Sequence, residues 1–202
     1  MSAARIPWIL DPSDEPTSTG VPHGKLGMWV FLASEVMLFG SLISSYIVLR
    51  LGSPLFIMPP HEMLGVPIAF VNTLILIISS VTMVLALAAI QQNKPGQMIG
   101  YMAATILCGL LFLAVKAYEY PHKWVDLGIT MSSGLFGSFY FTMTGLHGLH
   151  VLGGLAFNTY ILIQGVRGKW SPHRCERVEY AGIYWHFVDL VWVVLFPLLY
   201  LL

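Results

Sequence analysis

The sequence predicts an all-α fold, a polytopic membrane protein with five transmembrane helices in one bundle. Three observations carry that reading. Of 202 residues, 56% are hydrophobic and only 10% charged, where a soluble domain carries about 25% charge. Five runs are each long enough to cross a hydrocarbon layer about 30 Å thick, which takes roughly 20 apolar residues as a helix. The stretches between the runs hold the proline, glycine and polar residues that interrupt helices.

The chain opens with an arm, residues 1–25, that carries four prolines and the polar stretch DPSDEPTST. It lacks the basic-then-apolar order of a secretory signal and reads as a surface arm on the cytoplasmic side. The transmembrane domain follows over 26–202. Its first helix is expected at about 26–51, its second at 66–91 and its third at 98–118. The fourth is expected at 134–166 and the fifth at 179–201. GSPLFIMPPHEMLG, QNKPGQ, EYPHKWVDLGITMSS and RGKWSPHRCERVE separate them. The fourth helix holds Gly145, Gly148, Gly153 and Gly154 beside Ala156; small residues of this kind let helix backbones approach in a membrane.

Orientation follows from the basic residues, which favour the cytoplasmic side. With the N-terminus inside, Arg5, Lys25, Lys94, Arg167, Lys169, Arg174 and Arg177 are inside, and Arg50, Lys116 and Lys123 are at the outer ends. The balance predicts a cytoplasmic N-terminus and a C-terminus outside. The zero formal net charge gives no basic field for nucleic acid. Cys108 and Cys175 form neither a CxxC pair nor a disulfide framework and are expected to be free thiols.

Ionisable side chains within a transmembrane helix are costly and need a partner or a reason. Glu35, His147, His150, His186 and Asp189 stand out. His147 and His150 lie in TGLHGLHVLGG, three apart and so on one helical face. At 1.5 Å per residue, Glu35 lies roughly 14 Å from the inner end of its helix, and His186 and Asp189 roughly 10 and 15 Å. Ending the fourth helix at Ile161 brings His150 to roughly 16 Å. These residues are expected to form or border one buried polar network. Asp189, three after His186, is placed for a local pair. Lys116 and Glu119, also three apart, form a pair at the outer end, with Lys116 snorkelling toward the surface.

The same residues admit other chemistry. Three histidines with carboxylates could ligate a metal, but a desaturase-type metalloenzyme needs more histidines. A proton-relaying secondary transporter would show paired repeats or broken helices, and neither is visible. Fastening of helix to helix is the reading favoured here. The tryptophans and methionines read as packing, and no phosphate loop or nucleophile elbow is present. Arg167, Lys169, Arg174 and Arg177 are candidate contacts for anionic lipid head groups, with simple orientation charge as the alternative.

LASEVMLFGSL (32–42), VPIAFVNTLILIISS (66–80), VKAYEY (115–120), GSFYFTMTGLHGLHVLGG (137–154) and YWHFVDLVWVVLFPLLYL (184–201) occur in this order. Together they resemble subunit III of the haem–copper respiratory oxidases over nearly everything after residue 24. The chain matches the short five-helix form found in bacteria; the long form adds two helices before it. The resemblance implies a subunit of a proton-pumping terminal oxidase in a bacterial inner membrane, with cytochrome c preferred over quinol as electron donor. It implies no cofactor in this chain, because haem and copper belong to subunits I and II. It also implies packing against subunit I, support of proton uptake, a small subunit IV and bound phospholipid, and it leaves membership of a respiratory supercomplex open. Glu35 falls at the family's buried glutamate and Glu119 in its outer-end motif.

Overall fold

The computed structural model describes residues 21–60, 64–125, 128–170 and 175–202. These contain five helices long and apolar enough to cross a membrane, and no strand. We label them α1 (His23–Gly52), α2 (Val66–Gln91), α3 (Pro95–Val125), α4 (Leu135–Val166) and α5 (Glu176–Phe196). A π-helical turn, Pro197–Leu201, continues α5 to the end of the chain. Most of the N-terminal arm lies outside the described residues.

Local chemistry sets the boundaries. Gly65, at φ 67°, turns the chain into α2, where Pro67 occupies the first turn and its missing N–H costs nothing. Asn93, at φ 59°, makes the tight turn between α2 and α3. Glu176 and Glu179 lie in the first turn of α5, where carboxylates suit the helix dipole. The main departure from expectation is α3, which runs to Val125 rather than stopping near 118. Pro121 sits inside it; proline removes one backbone bond, and the contacts of Lys116, Glu119 and Lys123 described below hold the helix on through that gap.

α2, α3, α4 and α5 form a closed ring, each packed on the next and α5 returning to α2. α2 and α3 share the most extensive contact, with small residues Ala69, Ser79, Ala86 and Ala89 buried on α2 and Thr105 and Gly109 on α3. α1 stands outside the ring against α5 and α4, and only 6% of its apolar window is buried. Chain alternation brings the starts of α2 and α4 and the ends of α1, α3 and α5 to one end of the bundle, the C-terminal end.

The ring closes around Trp185. Its indole N–H donates to Ser79 Oγ at 3.0 Å, and its ring lies between Gly109 and Gly154. A Cβ at either glycine would come within 2.8 Å of ring carbons. The expectation for the fourth-helix glycines is therefore corrected: Gly154 is the position of tight approach, while Gly145 and Gly148 face open space. Gly109, on α3, supplies the other wall. Fixing the indole by a hydrogen bond removes its freedom to yield, so Gly154→Ala should lower stability by about 1–3 kcal/mol, the usual cost of overpacking. Gly145→Ala should leave stability unchanged or slightly raised. Thermal denaturation in detergent micelles measures both.

Candidate functional site

The largest buried ionic assembly among the described residues sits at the C-terminal end of the ring. Lys116, Glu119 and Lys123 lie three and four residues apart on α3 and so share a face. Glu119 is held between the two ammonium groups, with Lys116 Nζ 2.6 Å from Oε2 and Lys123 Nζ 2.8 Å from Oε1. All three residues are buried. Tyr140 of α4 and Tyr200 of the C-terminal turn place hydroxyls 3.0 and 2.9 Å from the same Oε1, and 2.6 Å from each other. Lys123 donates to Tyr140 and to the Leu64 carbonyl ahead of α2. Lys116 donates to Tyr200, and its ammonium lies 4.5 Å from the Trp192 ring centroid, within reach of cation–π attraction.

This corrects one expectation. Lys116 does pair with Glu119, but it does not snorkel: Trp192 of α5 and Tyr200 of the terminal turn lie over its ammonium. Lys123, Tyr140 and Tyr200 were not singled out from the sequence. The spacing of Lys116, Glu119 and Lys123 was the available signal, hidden because Pro121 suggested that the helix had already ended.

Of the five residues expected in one network, only Glu35 and His150 bond to each other among the described residues. Glu35 and His150 meet at the α1–α4 seam, Oε2 to Nε2 at 2.8 Å, with side chains 14% and 17% exposed. His150 Nδ1 lies 2.8 Å from the Leu146 carbonyl, so each ring nitrogen has a partner. His147 turns into the ring instead, edge-on to Phe112 and 5.0 Å from the Trp192 ring. It is 1% exposed, and neither ring nitrogen has a hydrogen-bond partner among the described residues. His186 does not pair with Asp189; its Nδ1 shares a hydrogen bond with the Ser80 hydroxyl of α2. Asp189 is 4% exposed, beside Ser79 and Ser80. The Ser79 hydroxyl donates to Leu76 O, and neither Asp189 oxygen has a hydrogen bond among the described residues.

At the opposite end, Lys25 of α1 and Glu179 of α5 form an ion pair at 2.7 Å. Arg167 and Lys169 are exposed there, and Arg177 reaches the Tyr160 hydroxyl at 3.5 Å. Arg174 lies outside the described residues. No group of three or more His, Cys, Asp or Glu side chains that could hold a metal occurs among the described residues. Neither Cys108 nor Cys175 forms a disulfide among the described residues.

Five apolar helices, with ionisable groups used to join one helix to another, define a multi-pass membrane protein. The family model for cytochrome c oxidase subunit III matches residues 8–202. The chain is 35% identical to cytochrome c oxidase subunit 3 of Bacillus subtilis over 88% of this chain and 85% of the relative. It is 34% identical to the protein of that name from Alkalihalophilus pseudofirmus, over 92% and 95%. It is 32% identical to a probable quinol oxidase subunit 3 of Staphylococcus haemolyticus, over 88% of each. The chain belongs to the cytochrome c oxidase subunit III family and serves as subunit III of a terminal oxidase.

Glu119→Gln should be the most damaging single change in the C-terminal cluster. It leaves two buried ammonium groups without a counter-charge, a loss of about 3–5 kcal/mol. Lys123→Met, which keeps the Lys116–Glu119 pair, should cost less. Denaturant unfolding in micelles gives the order, and a larger cost for Lys123→Met would show that Lys123 rather than Glu119 organises the cluster.

Proposed function

We propose that this chain is the redox-inert subunit of a proton-pumping terminal oxidase in a bacterial inner membrane. It packs beside the haem-bearing subunit I, steadies it and supports proton uptake from the cytoplasmic side. Subunits I and II carry the haem and copper, and a small subunit IV completes the complex. The observation that carries the reading is how the interior polar groups are used. Glu119 joins α3 to α4 and the terminal turn, Glu35 joins α1 to α4, and His186 joins α5 to α2. Groups bound into helix-to-helix contacts hold a shape, which is the work of a supporting subunit.

The N-terminus is cytoplasmic and the C-terminus outside, as the lysine and arginine balance favours. Arg167, Lys169, Arg174 and Arg177 then face the negative inner leaflet and meet phospholipid head groups. Cytochrome c is the electron donor, a reading supported by the names of the two relatives at 35% and 34% identity. Turnover of the purified complex with reduced cytochrome c, and none with quinol, is the expected result.

Gentle purification from native membranes tests the central claim. The chain should co-purify with a haem-bearing subunit and hold no stoichiometric metal when separated from it. Metal bound one-to-one by the separated chain would overturn the reading. In the intact complex, Glu35→Ala should leave haem content unchanged while loosening this subunit or shortening the oxidase's working life. Immediate loss of all haem would contradict the supporting role.

A further inference from the structure

α5 presents an outward strip between its neighbours α1 and α2, and His186 lies on it. The imidazole is half-buried. Nδ1 is engaged by Ser80, while Nε2 has no hydrogen-bond partner among the described residues. The surroundings are apolar and open. Leu190 and Val193, one and two turns further along the same side of α5, are 62% and 44% exposed. Ile77 and Val84 flank Ser80 on α2 and are also exposed.

Depth makes the free nitrogen informative. His186 lies ten residues from Glu176, the start of α5, roughly 15 Å along the axis. Ser80 lies eleven residues from Gln91, the end of α2 at the same side of the bundle, roughly 16 Å. Both place the imidazole near the middle of a hydrocarbon layer about 30 Å thick. An unbonded polar group there is costly. Lipid offers acyl chain at this depth and keeps its hydrogen-bonding head groups at the two surfaces, so lipid does not satisfy Nε2. A neighbouring helix with a polar side chain does, since interhelical hydrogen bonds of this kind stabilise membrane assemblies.

We propose that the strip of α5 around His186, Leu190 and Val193, bordered by Ile77 and Val84 of α2, is a docking surface for a transmembrane helix of another oxidase subunit. That helix carries a hydrogen-bonding side chain opposite His186 Nε2. The inference rests on the oxidase-subunit reading and specifies which face of the chain meets its partner.

The test uses the complex in its native membrane. A photoreactive p-benzoylphenylalanine at Leu190 or Val193 should crosslink to a transmembrane segment of another oxidase subunit, identified by mass spectrometry. The same probe at Leu152, exposed on α4, is the control. Adducts only to lipid, to a quinone or to a second copy of this chain would overturn the proposal, as would equal crosslinking from Leu152. Two substitutions separate the outward nitrogen from the inward one. His186→Gln keeps a polar group near the Nε2 position, and His186→Asn keeps one near Nδ1, against Ser80. His186→Asn should raise dissociation of this subunit from the haem-bearing complex in detergent roughly three- to fifteenfold, the effect of losing one interhelical hydrogen bond in a membrane. His186→Gln should leave dissociation near the parent value. The reverse order would show that the Ser80 bond alone matters and would overturn the docking role. Failure of the parent chain to co-purify with any haem subunit would instead remove the oxidase reading, and the docking surface with it.

Discussion

A carboxylate held between two ammonium groups governs the C-terminal end of this bundle. In water such an arrangement contributes little, because solvent screens each charge. Buried at the end of α3, Glu119 cannot be separated from Lys116 and Lys123 without stranding a charge. Everything nearby is arranged to complete the coordination. Tyr140 fixes the start of α4, Tyr200 fixes the terminal turn, and Lys123 fixes the backbone at Leu64 ahead of α2. Directly or through Lys123, one glutamate thereby ties α3 to α4, to the terminal turn and to the segment ahead of α2, and its two lysine partners lie on either side of Pro121.

Away from this cluster, a membrane bundle has no strong hydrophobic force between its helices, since lipid is as apolar as leucine. The ring substitutes close packing and isolated polar bonds. Trp185 fills the slot between Gly109 and Gly154 while its N–H reaches Ser79, and Trp192 repeats the device against Thr73 at 3.0 Å. Thr82 and Thr105 bridge α2 and α3 at 2.8 Å. Each large aromatic supplies contact area and one directional bond, so it fixes rotation as well as distance between helices.

The number of helices was legible because length and hydropathy alone determine it. The pairing of Lys116 with Glu119 was legible because both lie on one helix. Partners across helices were not. His147 and His150 share a face in sequence terms, yet they sit on either side of the α4 edge that separates the ring interior from the α1 seam. A difference of 60° in direction decides which environment each enters. Asp189 is three residues from His186, but α5 turns its carboxylate inward beside Ser79 while His186 points outward along α2. The glycines misled for a related reason: a small residue permits close approach, and only the packing order says whether a neighbour makes it. Lys123 was concealed by a proline that in water would mark a helix end.

α1 follows a different rule from the ring. Polar contacts hold it at each level: Lys25 with Glu179, Glu35 with His150, and Tyr46 with Arg50 at the Leu198 carbonyl. Few of its apolar residues are buried within the chain. Its central pair is more exposed than Glu119 or Lys123 and therefore responds to whatever covers the seam. The ring is closed by contacts among its own four helices, whereas α1 rests against its outside. Within the chain, α1 is therefore the helix that depends most on a few directional bonds, placed where close packing is sparse.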